Sequence, residues 1–145
     1  MADLLKDGAE VIVSRINSGS YSYSESFTAA RAYVPTWDKT ALAAVKVSVV
    51  PRTFVSQLEA RNIKERETID IQVAVQKSVD PFDLDECDAL ALLVEEIRLR
   101  LKGFNPGTTP GLTYLQAAND PIYDPQMREN RVFTSVLTLT YTAFR

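Results

Sequence analysis

The chain has 145 residues, of which 46% are hydrophobic and 24% are charged, the balance of one globular domain over residues 1–145. Its net charge of −3 argues against broad wrapping of nucleic acid, because non-specific affinity for phosphates needs clustered Lys and Arg. No stretch approaches the roughly 20 apolar residues of a membrane span, and the chain start lacks a signal-peptide pattern, so we expect no membrane association.

The first predicted element is an amphipathic helix over residues 3–17. Its apolar positions recur at helical spacing, at Leu5, Ala9, Ile12 and Ile16. The sequence Ser18-Gly19-Ser20 is expected to end this helix, because Gly is common just past a helix terminus.

Two strands are predicted next. Residues 21–34 alternate aromatic or apolar side chains with polar ones before Pro35, which indicates one strand. A short helical turn capped by Asp38 is expected over residues 37–44. It leads into a second strand over residues 45–51, where the apolar period switches to two.

Residues 52–67 are rich in charge, which predicts an exposed connection with at most a helical turn. The clearest strand follows at residues 68–77, where four β-branched residues point to one face. They are Ile69, Ile71, Val73 and Val75.

The strongest predicted element is a second helix over residues 83–102, with acidic residues in its first turns and basic residues in its last turns. Glu96 is placed to pair with Arg100, and Gly103 is expected to terminate the helix. Cys87 lies on the apolar stripe and is predicted to be a buried small hydrophobe. As the only cysteine it cannot form an internal disulfide, which fits synthesis in a reducing cytoplasm.

Residues 104–130 form a long Pro-rich loop interrupted by a strand-like stretch at 112–117, and residues 132–144 form a terminal strand with a threonine-rich outer face. The order of elements predicts an α+β fold. It consists of an antiparallel sheet of about four to five strands packed on one face by two α-helices.

The sequence gives no sign of catalysis. It has no histidine and no Gly-rich phosphate loop, and Asp83 begins a pattern that fails as a calcium loop because Asp88 and Val94 replace the required Gly and Glu. We therefore predict a protein that is not an enzyme, with no cofactor and no metal site.

Aromatic residues are the best candidates for contacts with partners, because Tyr and Trp are enriched at interfaces. Phe27 and Tyr33 fit core filling better, whereas for Tyr21, Tyr23 and Trp37 an interface and a core role are both open. Candidates from the charged connection and the Pro-rich loop complete the predicted interface set: Arg52, Tyr114, Tyr123 and Arg128.

Taken together, the segments resemble the tail-terminator or tail-completion proteins of long-tailed phages and prophages. The resemblance rests on the first helix, on 30–35 (ARAYVP) and 47–52 (VSVVPR), on the strand 69–75, on the acidic-start helix ending Leu101-Lys102-Gly103, and on 133–141. It covers nearly the whole chain.

This resemblance implies a virion protein that forms a ring, six-fold in the family, on the head-proximal end of the tail tube. The implied partners are other copies of the chain, the tail tube protein, the head-completion or neck proteins, and passing genomic DNA without sequence-specific binding. Acidic groups lining the channel would let DNA slide by like-charge repulsion. Two alternatives remain open: a head-closure or adaptor protein of the neck, and a small ligand-binding or regulatory module.

Overall fold

The computed structural model describes residues 4–33, 41–58, 65–80, 82–106, 111–119 and 131–144. Within them lie two α-helices, a 3-10 turn at Ala41–Ala43 and five strands. The helices are α1 (Leu4–Asn17) and α2 (Leu84–Leu101). The strands are β1 (Ala30–Arg31), β2 (Lys46–Leu58), β3 (Glu65–Ser78), β4 (Thr113–Ala118) and β5 (Val132–Phe144).

The five strands form one sheet in the order β1-β2-β3-β5-β4. The predicted α+β class is confirmed, with one correction: the sheet is mixed, because β1 runs parallel to β2 while the other pairs are antiparallel. The loop after α1 leads directly into β1 at the edge of the sheet. There β1 runs in the same direction as β2.

The core lies between the helices and one face of the sheet. Alternation along β3 and β5 sends every second side chain to this face, and the registers align these side chains in rows. One row joins Val49, Val73 and Leu137, and a second joins Phe54, Ile69, Tyr141 and Tyr114. The helices supply the opposing side chains, which include Leu4, Ala9, Ile12, Ile16, Leu90, Leu93, Val94, Ile97 and Leu101.

The ends of α2 follow the predicted signals. The Asp83 carboxylate accepts a hydrogen bond from the backbone N–H of Glu86 over 3.3 Å, which caps the first turn. Gly103 has a φ of 70°, the left-handed conformation that favours glycine after a helix. Glu96 does not follow its prediction, because it accepts from the Ser22 N–H over 2.8 Å while Arg100 bonds elsewhere.

The predicted strand over 21–34 is wrong for most of its length, since only Ala30–Arg31 pairs with β2. The Asn17 side chain takes the place of a neighbouring strand here. Its Oδ1 accepts from the Ala29 N–H over 2.8 Å, and its Nδ2 donates to the Ala29 carbonyl over 3.1 Å. The preceding segment is fixed by such local bonds and by aromatic packing.

The predicted connection over 52–67 is also wrong for its described part. β2 continues to Leu58 and β3 begins at Glu65, so both belong to a long hairpin. Between Pro51 and Thr53 the register shifts at a bulge, after which pairing with β3 continues. This half of β2 lies at the margin of the sheet, and its side chains are exposed from Arg52 to Ser56.

The face of the sheet opposite to the helices is rich in threonine, as predicted. Asp70 lies at its centre and accepts hydrogen bonds from Thr53 Oγ1 over 2.9 Å and Thr140 Oγ1 over 2.7 Å, which links three strands. Part of this face is covered, because the turn at Ala41–Ala43 contacts β3 and Val50 is buried.

Candidate interaction surfaces

The exposed half of β2 is the first candidate surface, and we call Arg52–Ser56 the arm. On the helix-facing side of β2, burial falls along the strand: Val47 and Val49 are buried, Pro51 is half-buried and Phe54 is 44% exposed. The neighbours of Phe54 in the same row, Ile69 and Tyr141, are fully buried. The helices therefore cover this row on β3 and β5 but leave its β2 end open.

Within the described residues, no strand pairs with the outer edge of the arm. β1 pairs with β2 only at Ser48 and Val49, and Ala32 adds one hydrogen bond to the Val49 carbonyl. Val55, next to Phe54, is 51% exposed but points to the opposite face of the sheet. An exposed edge with apolar side chains is a site where another chain can bind.

The second candidate surface is the outer face of α2, which we define as Leu84, Asp85, Asp88, Leu92 and Leu99. The buried residues of α2 lie on the other side of the helix. Leu92 and Leu99 are 50% and 52% exposed, and Leu84 is more exposed still. An amphipathic helix normally places polar residues on its solvent side, so leucines there indicate a surface that meets a partner.

Charge differs between the two surfaces. Asp85 and Asp88 are exposed beside the leucines and form no ion pair within the described residues, whereas Arg52 is the exposed charge of the arm. Further along α2, Arg98 donates two hydrogen bonds to Glu95, and this bonding lowers the pKa of the Glu95 carboxyl. The outer face of α2 is thus acidic in its first half, and the arm is basic.

Tyr21, a predicted interface residue, is half-buried and bonded within the chain. Its hydroxyl donates to the Ile16 carbonyl over 2.8 Å, and its ring centroid lies 5.3 Å from that of Phe27. Burial raises the pKa of this hydroxyl. Tyr33, expected in the core, is instead exposed, and its hydroxyl accepts from Arg31 over 2.9 Å.

Tyr23 is likewise half-buried, beside the ammonium group of Lys77. Lys77 forms ion pairs with Glu86 and, over 3.6 Å, with Glu25. Burial lowers the pKa of Lys77, but the hydrogen bonds with Glu86 and Tyr23 outweigh it and raise the pKa. This cluster fixes the loop after α1 against β3 and the start of α2.

The remaining predicted interface residues have different positions. Arg52 is exposed on the arm. Tyr114 is half-buried on β4, where its ring meets Tyr141 edge-on at a centroid distance of 6.0 Å. Trp37, Tyr123 and Arg128 lie outside the described residues, as does Asp38. The interface role of the whole set stays a prediction. The structure adds three exposed apolar residues to the candidates: Phe54, Leu92 and Leu99.

Within the described ranges, no group of three or more His, Cys, Asp or Glu side chains is placed to hold a metal ion. Cys87 is half-buried, less than predicted, and burial together with Asp83, Asp88, Glu86 and Asp80 raises the pKa of its thiol. A raised thiol pKa opposes nucleophilic reactivity at neutral pH. None of the helices in those ranges is long and apolar enough to cross a bilayer.

No family model matches the chain, and no curated protein sequence matches it. Among solved structures, the chain is similar to a chain of the virion of a native gene transfer agent (GTA) particle. The two share 12% sequence identity with a TM-score of 0.64, and the match covers 100% of both chains. At this identity the likeness shows a common fold.

Proposed function

We infer that this chain is a structural subunit of a phage-like virion, which acts by assembly and has no catalytic activity. The observation that carries this inference is the likeness of fold, over the full length of both chains, to a component of a gene transfer agent virion. The exposed arm and the leucines on α2 support it, because a subunit that works by assembly needs apolar contact surfaces.

Within that class, the proposed role is that of a tail terminator. Copies of the chain form a ring, six-fold by family resemblance, on the head-proximal end of the tail tube. The ring ends polymerisation of the tube and presents a surface to the head-completion proteins. The fold supports this role by offering two different apolar surfaces, since a head-to-tail contact joins unlike surfaces and closes when the rotation permits.

The threonine-rich face of the sheet is the proposed lining of the channel. The hydroxyls of Thr53 and Thr140 on this face donate to the Asp70 carboxylate, and a carboxylate repels the phosphates of DNA. Double-stranded DNA would then pass without sequence-specific contacts. A head-closure subunit of the neck is the second candidate, because it would also be a ring-forming virion component with this fold.

Negative-stain electron microscopy tests this proposal. The purified protein, added to assembled tail tubes, is expected to form a closed ring with a central hole and to cap one end of each tube. Capped tubes should also stop elongating when tube protein is added. Rings that bind the portal side of heads and leave tube ends bare would instead establish the neck role, and protein that binds neither would contradict both.

A further inference from the structure

The arm and the outer face of α2 lie towards opposite sides of the chain. α1 contacts β2, whereas α2 contacts β5. β3 separates β2 from β5 in the sheet, so the arm is at the β2 margin and α2 is on the β5 side. Unlike surfaces on opposite sides are what a head-to-tail contact between identical chains requires.

We propose that the outer face of α2 of one copy packs on the helix-facing side of the arm of the next copy. This inference rests on the proposed ring and names the contact that closes it. Within one chain, α1 and α2 cover the helix-facing side of the sheet. In the row that contains Phe54 they cover the residues of β3 and β5 but leave Phe54 on β2 exposed. The helix of a neighbour placed there would continue the same layer of helices over the sheet.

The spacing of the leucines on α2 fits the single aromatic ring on the helix-facing side of the arm. Leu92 and Leu99 are seven residues apart, which is about 10.5 Å along a helix axis. That distance leaves room for one phenyl ring between the two leucines, and the arm offers one on its helix-facing side, Phe54. Burying these three half-exposed side chains would remove apolar surface from water on both copies.

The charges also match, and they favour this pairing over contact between two arms. Asp85 and Asp88 lie beside the leucines of α2, and Arg52 lies two residues before Phe54 on the arm. Contact between two arms would bring like charges together, and so would contact between two copies of α2 that run in the same direction. Opposite charges meet when the arm of one copy binds the first half of α2 of another, which favours a head-to-tail order.

Matched substitutions test the apolar part of this contact. Phe54→Asp and Leu92→Asp should each weaken self-association about ten-fold or more, since both remove an anchor of the contact. Val55→Asp changes an equally exposed neighbour on the opposite face of the arm, and Leu115→Asp changes an exposed leucine on β4. These two controls should leave association within about two-fold of the unaltered chain. Circular dichroism and urea unfolding verify that each variant is folded.

A charge exchange and a cross-link test the pairing itself. Arg52→Glu and Asp88→Arg should each weaken association, and the double variant should recover most of it. In a Cys87→Ser background, copies carrying Ser56→Cys mixed with copies carrying Leu92→Cys should form a disulfide between the two kinds of copy when a mild oxidant such as oxidised glutathione is added. Ser56 lies on the same side of the strand as Phe54, two residues away.

The outcomes separate this inference from the proposed function. Rings that persist in Phe54→Asp and Leu92→Asp would overturn the contact while leaving the ring-forming role intact. Loss of association in Leu92→Asp alone, with no mixed disulfide, would also overturn it, because α2 would then meet another partner. An unaltered chain that neither forms rings nor binds tail tubes would contradict the proposed function as well.

Discussion

Arg15 and Arg100 each donate a hydrogen bond from Nε to the backbone carbonyl of the other, over 3.3 and 3.2 Å. Arg15 lies in the last turn of α1 and Arg100 in the last turn of α2. Each guanidinium therefore lies at the C-terminal end of the other helix, where carbonyls lack partners and the helix dipole is negative. This exchange joins the ends of the two helices that cover the sheet.

We expect Arg15→Ala and Arg100→Ala each to lower the free energy of unfolding by about 1–2 kcal/mol, because each removes a charged donor from a partly buried carbonyl. Each bond joins a side chain to a backbone group, so one substitution leaves the other bond in place. Urea unfolding measures both losses, with the exposed Lys102→Ala as control. An equal loss in the control would contradict this role.

Asn17 makes two hydrogen bonds to the backbone of Ala29, whose side chain is buried. Asn17→Ala leaves a donor and an acceptor without their partners, so we expect a loss of about 2 kcal/mol in the free energy of unfolding. Ser14→Ala, on the exposed side of α1, is the control and should change stability little. A loss below about 0.5 kcal/mol for Asn17→Ala would show that the bonds do not hold this segment.

Gly8 lies within α1, where Gly→Ala ordinarily stabilises a helix by about 0.5–1 kcal/mol. Here a Cβ atom would lie 2.9 Å from Leu112 Cδ1 and 3.3 Å from Ile71 Cδ1. Both neighbours are buried, so we expect Gly8→Ala to be destabilising by about 1–3 kcal/mol. Thermal and urea unfolding measure the change. Adding Leu112→Val should recover part of the loss, and a stabilised Gly8→Ala would contradict the close approach.

Tyr141 is fully buried, and its hydroxyl has no hydrogen-bond partner within the part of the chain that the structure describes. Burial raises the pKa of this hydroxyl above its ordinary value of about 10. The folded chain therefore keeps this hydroxyl protonated at pH values where the unfolded chain ionises. The free energy of unfolding is unaffected by this group below about pH 10 and falls as the pH rises from there towards the raised pKa.

We accordingly expect Tyr141→Phe to be at least as stable as the unaltered chain at pH 7, because an unpaired buried hydroxyl costs free energy. Above pH 10 the variant should lose less stability than the unaltered chain does. Urea unfolding at pH 7 and pH 10.5 measures both differences. A variant that is less stable by more than about 1 kcal/mol at pH 7 would indicate a partner for the hydroxyl.

The two helices, β3 and β5 could be predicted from sequence because their buried residues repeat at a fixed period. The second half of β2 could not, since it lies at a margin of the sheet and its residues 52–58 (RTFVSQL) show no alternation of apolar and polar side chains. This half of β2 is a strand because it pairs with β3, the other strand of the hairpin. The alternation of aromatic residues after α1 wrongly predicted a strand. In the structure the backbone of Ala29 bonds the Asn17 side chain instead of a neighbouring strand.

The candidate surfaces were predicted only in part. Arg52 was among the predicted interface residues, whereas Phe54 was not, because the adjacent Phe54 and Val55 do not alternate with polar residues. Leu92 and Leu99 did leave a signal: they are apolar positions of α2 outside the stripe of Leu90, Val94 and Ile97. Judging that signal needs the exposed fraction of each side chain, which only the folded chain supplies.

The most direct test of the ring-forming role is the solution mass of the purified chain, measured by light scattering across a range of protein concentrations. We expect a discrete particle of about six chains, whose population falls in Phe54→Asp and not in Val55→Asp. A chain of 16.2 kDa that stays monomeric at every concentration, and that also fails to bind assembled tail tubes, would contradict it.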